Sequence, residues 1–508
     1  MSDVSDQRLV FDLDLIEKYD QSGPRYTSYP TAVQFTDAFG EPEYRKTALE
    51  SNASGNPLSL YFHIPFCDTV CFYCACNKIA TKDRSKSEEY LGRLFTEIAM
   101  QGELFDNSRT VDQLHWGGGT PTFLNPQQMT DLMRVTGEHF NLRDDDTGEY
   151  SIEIDPREAD RDSVRLLRAI GFNRMSLGVQ DYDPRVQKAV NRIQSREITE
   201  AVLFAARDEG FRSISVDLIY GLPFQSVESF RTTLEAVLEA QPDRLSVFNY
   251  AHLPQMFKPQ RRINEEELPP PSEKLDILQM VAETLANAGY VFIGMDHFAR
   301  PDDELARAQR DGTLYRNFQG YSTHSHCDLV GLGVTSIGMV GPTYSQNLRD
   351  IDDYYAAVDA GRLPIQRGLA LSGEDRLRRE VITRLICHFR LDMRQLGEQW
   401  GIDFEQHFAA ELDRLSGMER DGLLHIDGDV ITIAPKGRFL IRNIYLAFEP
   451  AMRGWLNDVK SYVPPVQLGE VMRASAVGQV VESKNADFRK GEVVSGMFGW
   501  QQYAVSDG

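Results

Sequence analysis

From Leu58 onward the chain alternates between two hydrophobic periods. Short apolar, β-rich runs recur at 58–64, 113–116, 150–155, 174–180, 213–220 and 244–250, each the length of a strand. Between them apolar positions return every three or four residues, over 87–104, 126–139, 160–170, 196–209 and 226–240. That is the spacing of one helix face. Strands separated by helices imply a parallel sheet with the helices outside. A closed barrel needs eight such units, and the alternation stops after the sixth. The fold class expected is α/β, an open six-unit (β/α)6 partial barrel.

Other patterns flank this core. Residues 1–55 form an N-terminal arm and 56–255 the partial barrel. Residues 256–370 hold a Pro-rich turn at 268–272, a helix at 273–288 and the run Gly331-Leu-Gly-Val-Thr-Ser-Ile-Gly. They read as an extension covering the ends of the barrel strands. A small α/β domain over 371–448 has an Arg/Glu-laced helix at 373–390, then a hairpin around Asp427-Gly428. A helix followed by a hairpin can be a DNA-binding winged helix, but its mixed charge favours domain packing. Residues 449–508 are Gly-rich and β-patterned, a fused tail.

Charge separates that tail from the rest. Residues 451–508 carry 6 basic and 6 acidic side chains, so all of the net −22 lies before residue 451. Such acidity disfavours nucleic acid and acidic membranes as partners. No apolar run is long enough to span a bilayer, and Met-Ser-Asp-Val-Ser-Asp lacks a signal region, so a cytoplasmic location is expected. Six cysteines, four of them crowded, suit a reducing compartment.

The crowded four are Cys67, Cys71, Cys74 and Cys76, in the order C-D-T-V-C-F-Y-C-A-C. Three thiolates spaced CxxxCxxC can hold three irons of a cubic 4Fe–4S cluster, leaving one iron open. Zinc also takes thiolates, but its knuckles and ribbons use two separated pairs, and there is no second pair. The loop follows the first strand directly. Parallel β/α folds do their chemistry at the C-terminal strand ends, and polar candidates keep to that rim. Gly117-Gly-Gly-Thr120 follows the second strand, Glu153 and Asp155 lie near the end of the third, Gln180 ends the fourth and Asp217 lies in the fifth. Glycines there let backbone approach a ligand and offer free N–H groups. Cys327 and Cys387 read as buried apolar residues.

The cysteine spacing resembles the radical S-adenosylmethionine (SAM) enzymes. Flanking runs narrow this to the oxygen-independent coproporphyrinogen III oxidases: Pro24-Arg-Tyr-Thr-Ser-Tyr-Pro-Thr-Ala32, Asn77-Lys78, His115-Trp-Gly-Gly-Gly-Thr-Pro-Thr, Gly178-Val-Gln-Asp, Asp217-Leu-Ile-Tyr-Gly-Leu-Pro and Gly294-Met-Asp-His-Phe-Ala-Arg. The match is collinear to about residue 448. It implies Cys67, Cys71 and Cys74 as cluster ligands, with Cys76 not a ligand. It further implies two SAM molecules. Tyr61, Gly118 and Glu153 would serve the first; Tyr73, Gly119, Thr120, Gln180, Arg192, Asp217, Ala251 and Ile337 would serve the second. The implied reaction is oxidative decarboxylation of two propionates of coproporphyrinogen III to vinyl groups, by a monomer drawing electrons from a low-potential, flavodoxin- or ferredoxin-like donor. Because the substrate carries four carboxylates and the chain is acidic, basic residues must gather locally; Arg25, Lys78, Arg300 and Arg316 are the candidates.

The tail resembles the opening of a zinc-independent medium-chain reductase. Its carriers are Met452-Arg-Gly-Trp-Leu-Asn-Asp, Pro464-Pro-Val-Gln-Leu-Gly-Glu-Val-Met and Gly491-Glu-Val-Val-Ser-Gly. No strand–glycine turn–helix unit follows them, so NADPH-dependent reduction is not expected. Two rival readings remain, a haem-carrying chaperone of the same superfamily and an inactive fusion.

Overall fold

The computed structural model describes residues 9–19, 28–446, 448, 476–481, 483, 489–491 and 493–496. Six parallel strands carry its centre: β1 Leu58–Ile64, β2 Thr110–Gly118, β3 Glu149–Ile154, β4 Arg174–Gln180, β5 Ser213–Tyr220 and β6 Arg244–Asn249. They pair in chain order. The connecting helices are α1 Ser85–Gly102, α2 Pro126–His139, α3 Arg161–Ala169, α4 Arg196–Asp208 and α5 Val227–Glu239. Four of them begin on a capping side chain: Asn125, Asp160, Ser195 and Ser226 each accept a hydrogen bond from the amide three residues on. This satisfies a donor that a helix start leaves unpaired. The expected (β/α)6 unit is present.

Each inner strand has one apolar and one polar face. On β1, Leu58, Leu60, Phe62 and Ile64 are buried in one core with Leu91, Leu94 and Ile98 of α1. Ser59, Tyr61 and His63 alternate with them and face the barrel interior. Gln113, His115, Ser151, Arg174, Ser176 and Arg244 continue that inner face around a cavity of about 140 Å³. Closed eight-unit barrels fill this space with branched aliphatic side chains. Here it is polar and open.

The segment 256–370 does more than cover strand ends, which corrects the reading from sequence. Its residues Asp328–Leu332 form β7, a seventh parallel strand on the free edge of β1, with Gly331 opposite Tyr61. Ile337–Val340, Thr343–Asn347 and Ile365–Ala370 continue the sheet in antiparallel fashion. On the other side His297–Ala299 pairs with β6, and Val291–Gly294 with it in turn. An open barrel has two edges of unpaired backbone, and these strands cap both. Helix α6, Gly373–His388, buries Leu377, Val381, Ile382 and Leu385. It precedes a three-stranded sheet of Arg390–Asp392, Leu424–Asp427 and Val430–Ile433. The hairpin turns on Gly428 and Asp429, one residue later than expected, with Gly428 at φ 56°.

The chain divides into two compact units, 1–448 and 449–508. Within the second, Ala476–Gln479 pairs antiparallel with Val493–Gly496. The runs beginning at Met452 and Pro464, and residues 24–27 with Arg25, lie outside the described residues. Among the described residues no helix is long and apolar enough to cross a membrane.

Candidate active site

The cysteine loop leaves the C-terminal end of β1 and is tied shut at its neck. Phe66 and Cys67 pair with Ile79 and Ala80, the Ile79 amide donating to Pro65 O at 2.7 Å and the Thr81 amide to Cys67 O at 2.9 Å. All six cysteines are free thiols. Cys71 is buried and Cys67 and Cys74 half-buried, while Cys76 is exposed. The Thr120 hydroxyl donates to Cys67 Sγ at 3.5 Å, and Arg192 Nη1 and Arg157 Nη2 donate to Cys71 Sγ at 3.6 and 3.7 Å. A hydrogen bond from Cys76 lowers the Cys74 thiol to about 5, burial opposing and nearby Lys78 assisting. Burial raises Cys67 to about 11.

Beneath the loop lies a relay of inner-face residues. Tyr61 stacks on His115 at 5.8 Å, and its hydroxyl meets His63 Nδ1 at 3.2 Å. His63 Nε2 lies 3.0 Å from Asn77 O, which secures the far side of the cysteine loop. Burial lowers the His63 pKa, so the ring is neutral; as the Asn77 carbonyl can only accept, Nε2 carries the proton. His115 bridges Ser151 Oγ at 2.6 Å and Glu153 Oε1 at 3.3 Å. Burial pushes the Glu153 carboxyl upward, but His115 and the Gly118 amide hold it below the ordinary value. Glu153 still leaves 47% of its side-chain surface exposed.

The glycine turn acts differently from expectation. Its amides are already spent: Gly118 N–H donates to Glu153 Oε2 at 3.2 Å, Gly119 N–H to Ile64 O at 2.8 Å and Thr120 N–H to Phe66 O at 2.8 Å. The glycines serve close approach instead. A Cβ on Gly118, at φ 114°, would meet the His63 ring at 2.8 Å, and one on Gly119 would meet Phe66 O at 2.7 Å. The turn locks β2 to the neck of the cysteine loop.

A second cluster stands on the later strands. Arg192 bridges Asp155 Oδ2 at 3.0 Å and Gly178 O at 2.6 Å. Asp155 also takes Arg157 at 2.7 Å. Gln180 adopts φ 68° at the end of β4, and its Oε1, like Arg192 Nε, is buried without a hydrogen-bond partner. Burial pushes the Asp217 carboxyl up to about 6, opposed by a 2.9 Å hydrogen bond from Ser176. Tyr73 packs against an apolar cluster that includes Val186, Val190 and Tyr250, Ile337 shares another with Tyr61, and Ala251 is exposed just beyond β6.

Two residues of this network escaped the sequence reading as site residues: His63 and His115. The signal was present, because Tyr61-x-His63, His115-x-Gly117 and Glu153-x-Asp155 alternate onto one strand face. Among the proposed substrate clamps, Lys78 donates to Cys74 O at 3.2 Å beside the loop. Arg300 follows the strand His297–Ala299, whose Ala299 lies opposite Arg244 at the start of β6. That is the end of the barrel away from the sulfurs.

These residues suit a [4Fe–4S] cluster and SAM: three free thiols, cationic donors aimed at sulfur, and buried polar atoms still lacking partners. An open parallel barrel bearing such a loop on its first strand is a radical SAM enzyme, and residues 61–237 match the radical SAM superfamily. Residues 371–440 match the HemN C-terminal domain. The chain belongs to the oxygen-independent coproporphyrinogen III oxidases. The Pseudomonas aeruginosa enzyme of that name is 56% identical over 439 residues, covering 86% of this chain and 95% of that one. The Escherichia coli enzyme is 50% identical over 450 residues, covering 89% and 97%. The solved coproporphyrinogen III oxidase (HemN) of Escherichia coli, described as a radical SAM enzyme, superposes with a TM-score of 0.83 at 49% identity, over 87% of this chain and all of its own. Residues 413–508 match an N-terminal domain of oxidoreductase. The overlap at 413–440 is decided by packing, since Leu415, Leu423, Ile431 and Ile433 are buried in the core of the first unit.

Proposed function

We propose that this chain converts coproporphyrinogen III to protoporphyrinogen IX without O2, each of two propionates losing a hydrogen atom, an electron and CO2 to become a vinyl group. Reductive cleavage of SAM and hydrogen abstraction from the propionate are the chemistry that a [4Fe–4S] cluster and SAM supply when bound. Cys67, Cys71 and Cys74 hold the cluster, and Cys76 does not. Tyr61, Gly118 and Glu153 receive one SAM; Tyr73, Gly119, Thr120, Gln180, Arg192, Asp217, Ala251 and Ile337 receive a second. Glu153, kept ionised, accepts from an ammonium or a ribose hydroxyl. Arg192 and Arg157 donate to Cys71 Sγ and steady the sulfur in the loop. A flavodoxin- or ferredoxin-like donor provides the electrons, and the chain works as a cytoplasmic monomer.

The observation that carries this reading is the pairing of free sulfurs with unspent polar atoms: Arg192 contacts Cys71 Sγ through one nitrogen while its Nε, and the neighbouring Gln180 Oε1, have no partner. The test is anaerobic reconstitution, then dithionite, SAM and coproporphyrinogen III. Protoporphyrinogen IX is the expected product. Stable haem binding with no product would overturn the oxidase reading in favour of a haem carrier.

A further inference from the structure

We infer that Arg316 and Arg379 form a subsite that anchors carboxylate side chains of the substrate. The inference rests on the proposed acidic tetrapyrrole substrate and adds where its acid groups are held. Carboxylates are abundant in this chain, and helix α6 uses them. Arg378 pairs with Glu374 at 2.6 Å and Glu411 at 2.9 Å, and Arg384 with Glu380 at 2.6 Å. Among the described residues Arg379, which stands between these pairs, has no ion pair. Its Nη1 reaches the Tyr344 hydroxyl at 3.2 Å and Met339 Sδ at 3.6 Å, neither of them an anion. Arg316, on the hairpin strand Tyr315–Asn317, also lacks an ion pair among the described residues. Its guanidinium lies 4.6 Å from the Tyr321 ring centre, and its Nη1 is buried without a hydrogen-bond partner.

Both arginines line one cavity of about 20 Å³, with Ser28, Tyr29, Ile382 and Thr383. Two like charges beside one void repel, and a buried guanidinium N–H without an acceptor is costly. A carboxylate relieves both, because the guanidinium fork matches its two oxygens. The void suits one small polar group rather than a ring. Next to the void lies an apolar cluster: Phe35, Phe318 and Tyr344 lie within 6.0 Å of one another, with Tyr61 and Ile337 packed against it. The N-terminal arm backs the subsite, with the Tyr344 hydroxyl donating to Tyr29 O at 2.8 Å.

The experiment titrates the reconstituted full-length chain with coproporphyrin III, which is oxidised and does not react, and with its uncharged tetramethyl ester. Fluorescence quenching reports both. Arg316→Gln and Arg379→Gln should each weaken binding of the free acid about tenfold, as loss of a charge-assisted hydrogen bond does, and leave ester binding unchanged. Arg300→Gln, at the far end of the barrel, should change neither. In turnover the two variants should raise KM more than they lower kcat. Unchanged acid binding in both variants, or equal loss of acid and ester, overturns the inference. If a Gln variant fails to fold by circular dichroism, Arg316→Lys and Arg379→Lys decide by the same acid-versus-ester comparison, since Lys keeps the charge and loses the fork. Absence of turnover in the unmodified chain would count against the proposed reaction instead, and the acid–ester difference would still stand or fall by itself.

Discussion

Gly119→Ala tests whether the glycine turn is a lock on the cysteine loop. The added Cβ would sit 2.7 Å from Phe66 O, 2.8 Å from Pro65 C and 2.9 Å from Pro65 O, all of them backbone atoms at the neck of the loop. Backbone cannot swing aside as a side-chain tip can, so β2 and the neck must separate by several tenths of an ångström. Overpacking of this kind costs about 1–3 kcal/mol. Two 2.8 Å hydrogen bonds, Gly119 N–H to Ile64 O and Thr120 N–H to Phe66 O, cross the same contact. Straining both adds about 1–2 kcal/mol, since each is worth about 1 net. The sum is about 2–5 kcal/mol, a large share of a typical folding stability. Urea unfolding of the apo chain should show it as a lower midpoint, and anaerobic reconstitution should yield less iron per chain. Gly117→Ala is the comparison, because the atoms nearest its Cβ are side-chain ones, the Glu153 carboxylate at 3.0 Å and His115 Nε2 at 3.1 Å. It should leave iron content near that of the parent. An unfolding midpoint and iron content for Gly119→Ala equal to the parent's would refute the lock.

Three further outcomes follow from the same geometry. Cys71→Ser should abolish the absorbance near 400 nm (about the range of thiolate-bound iron) and turnover, whereas Cys76→Ser should keep the absorbance; equal loss in both would show that the ligand set is wrong. Asp217 has a folded-state pKa raised from 3.8 to about 6, so the folded chain favours its protonated form and loses that stability as pH rises through this window, by up to ~3 kcal/mol at 1.36 per unit. Asp217→Asn should therefore gain on the parent in urea midpoint from pH 4.5 to 7, and a constant difference across that range would contradict the assignment. Removing 449–508 should leave iron loading and turnover intact, because the first compact unit ends at Phe448; loss of iron in the shortened chain would show that the tail supports the fold.

Much of the barrel was legible because burial and period are coupled. A strand with helices outside and a ligand cavity inside must alternate, so Leu58, Leu60, Phe62 and Ile64 mark one face while Ser59, Tyr61 and His63 mark the other. The CxxxCxxC spacing and its place after the first strand likewise need no coordinates. Only the tertiary structure decided that Asp328–Leu332 closes the edge of β1, more than 260 positions away in the chain, because an edge strand's partner is chosen by backbone pairing and leaves no local period. The glycine turn shows the same limit. Its sequence announces close approach, yet whether the amides are free for a ligand depends on Ile64 and Phe66 on another strand. Arg316 and Arg379 lie 63 positions apart and resemble any other surface arginines in sequence. That neither has a carboxylate partner among the described residues, while Arg378 has two, is a fact of packing, since an ion pair is made by whatever folding brings within reach.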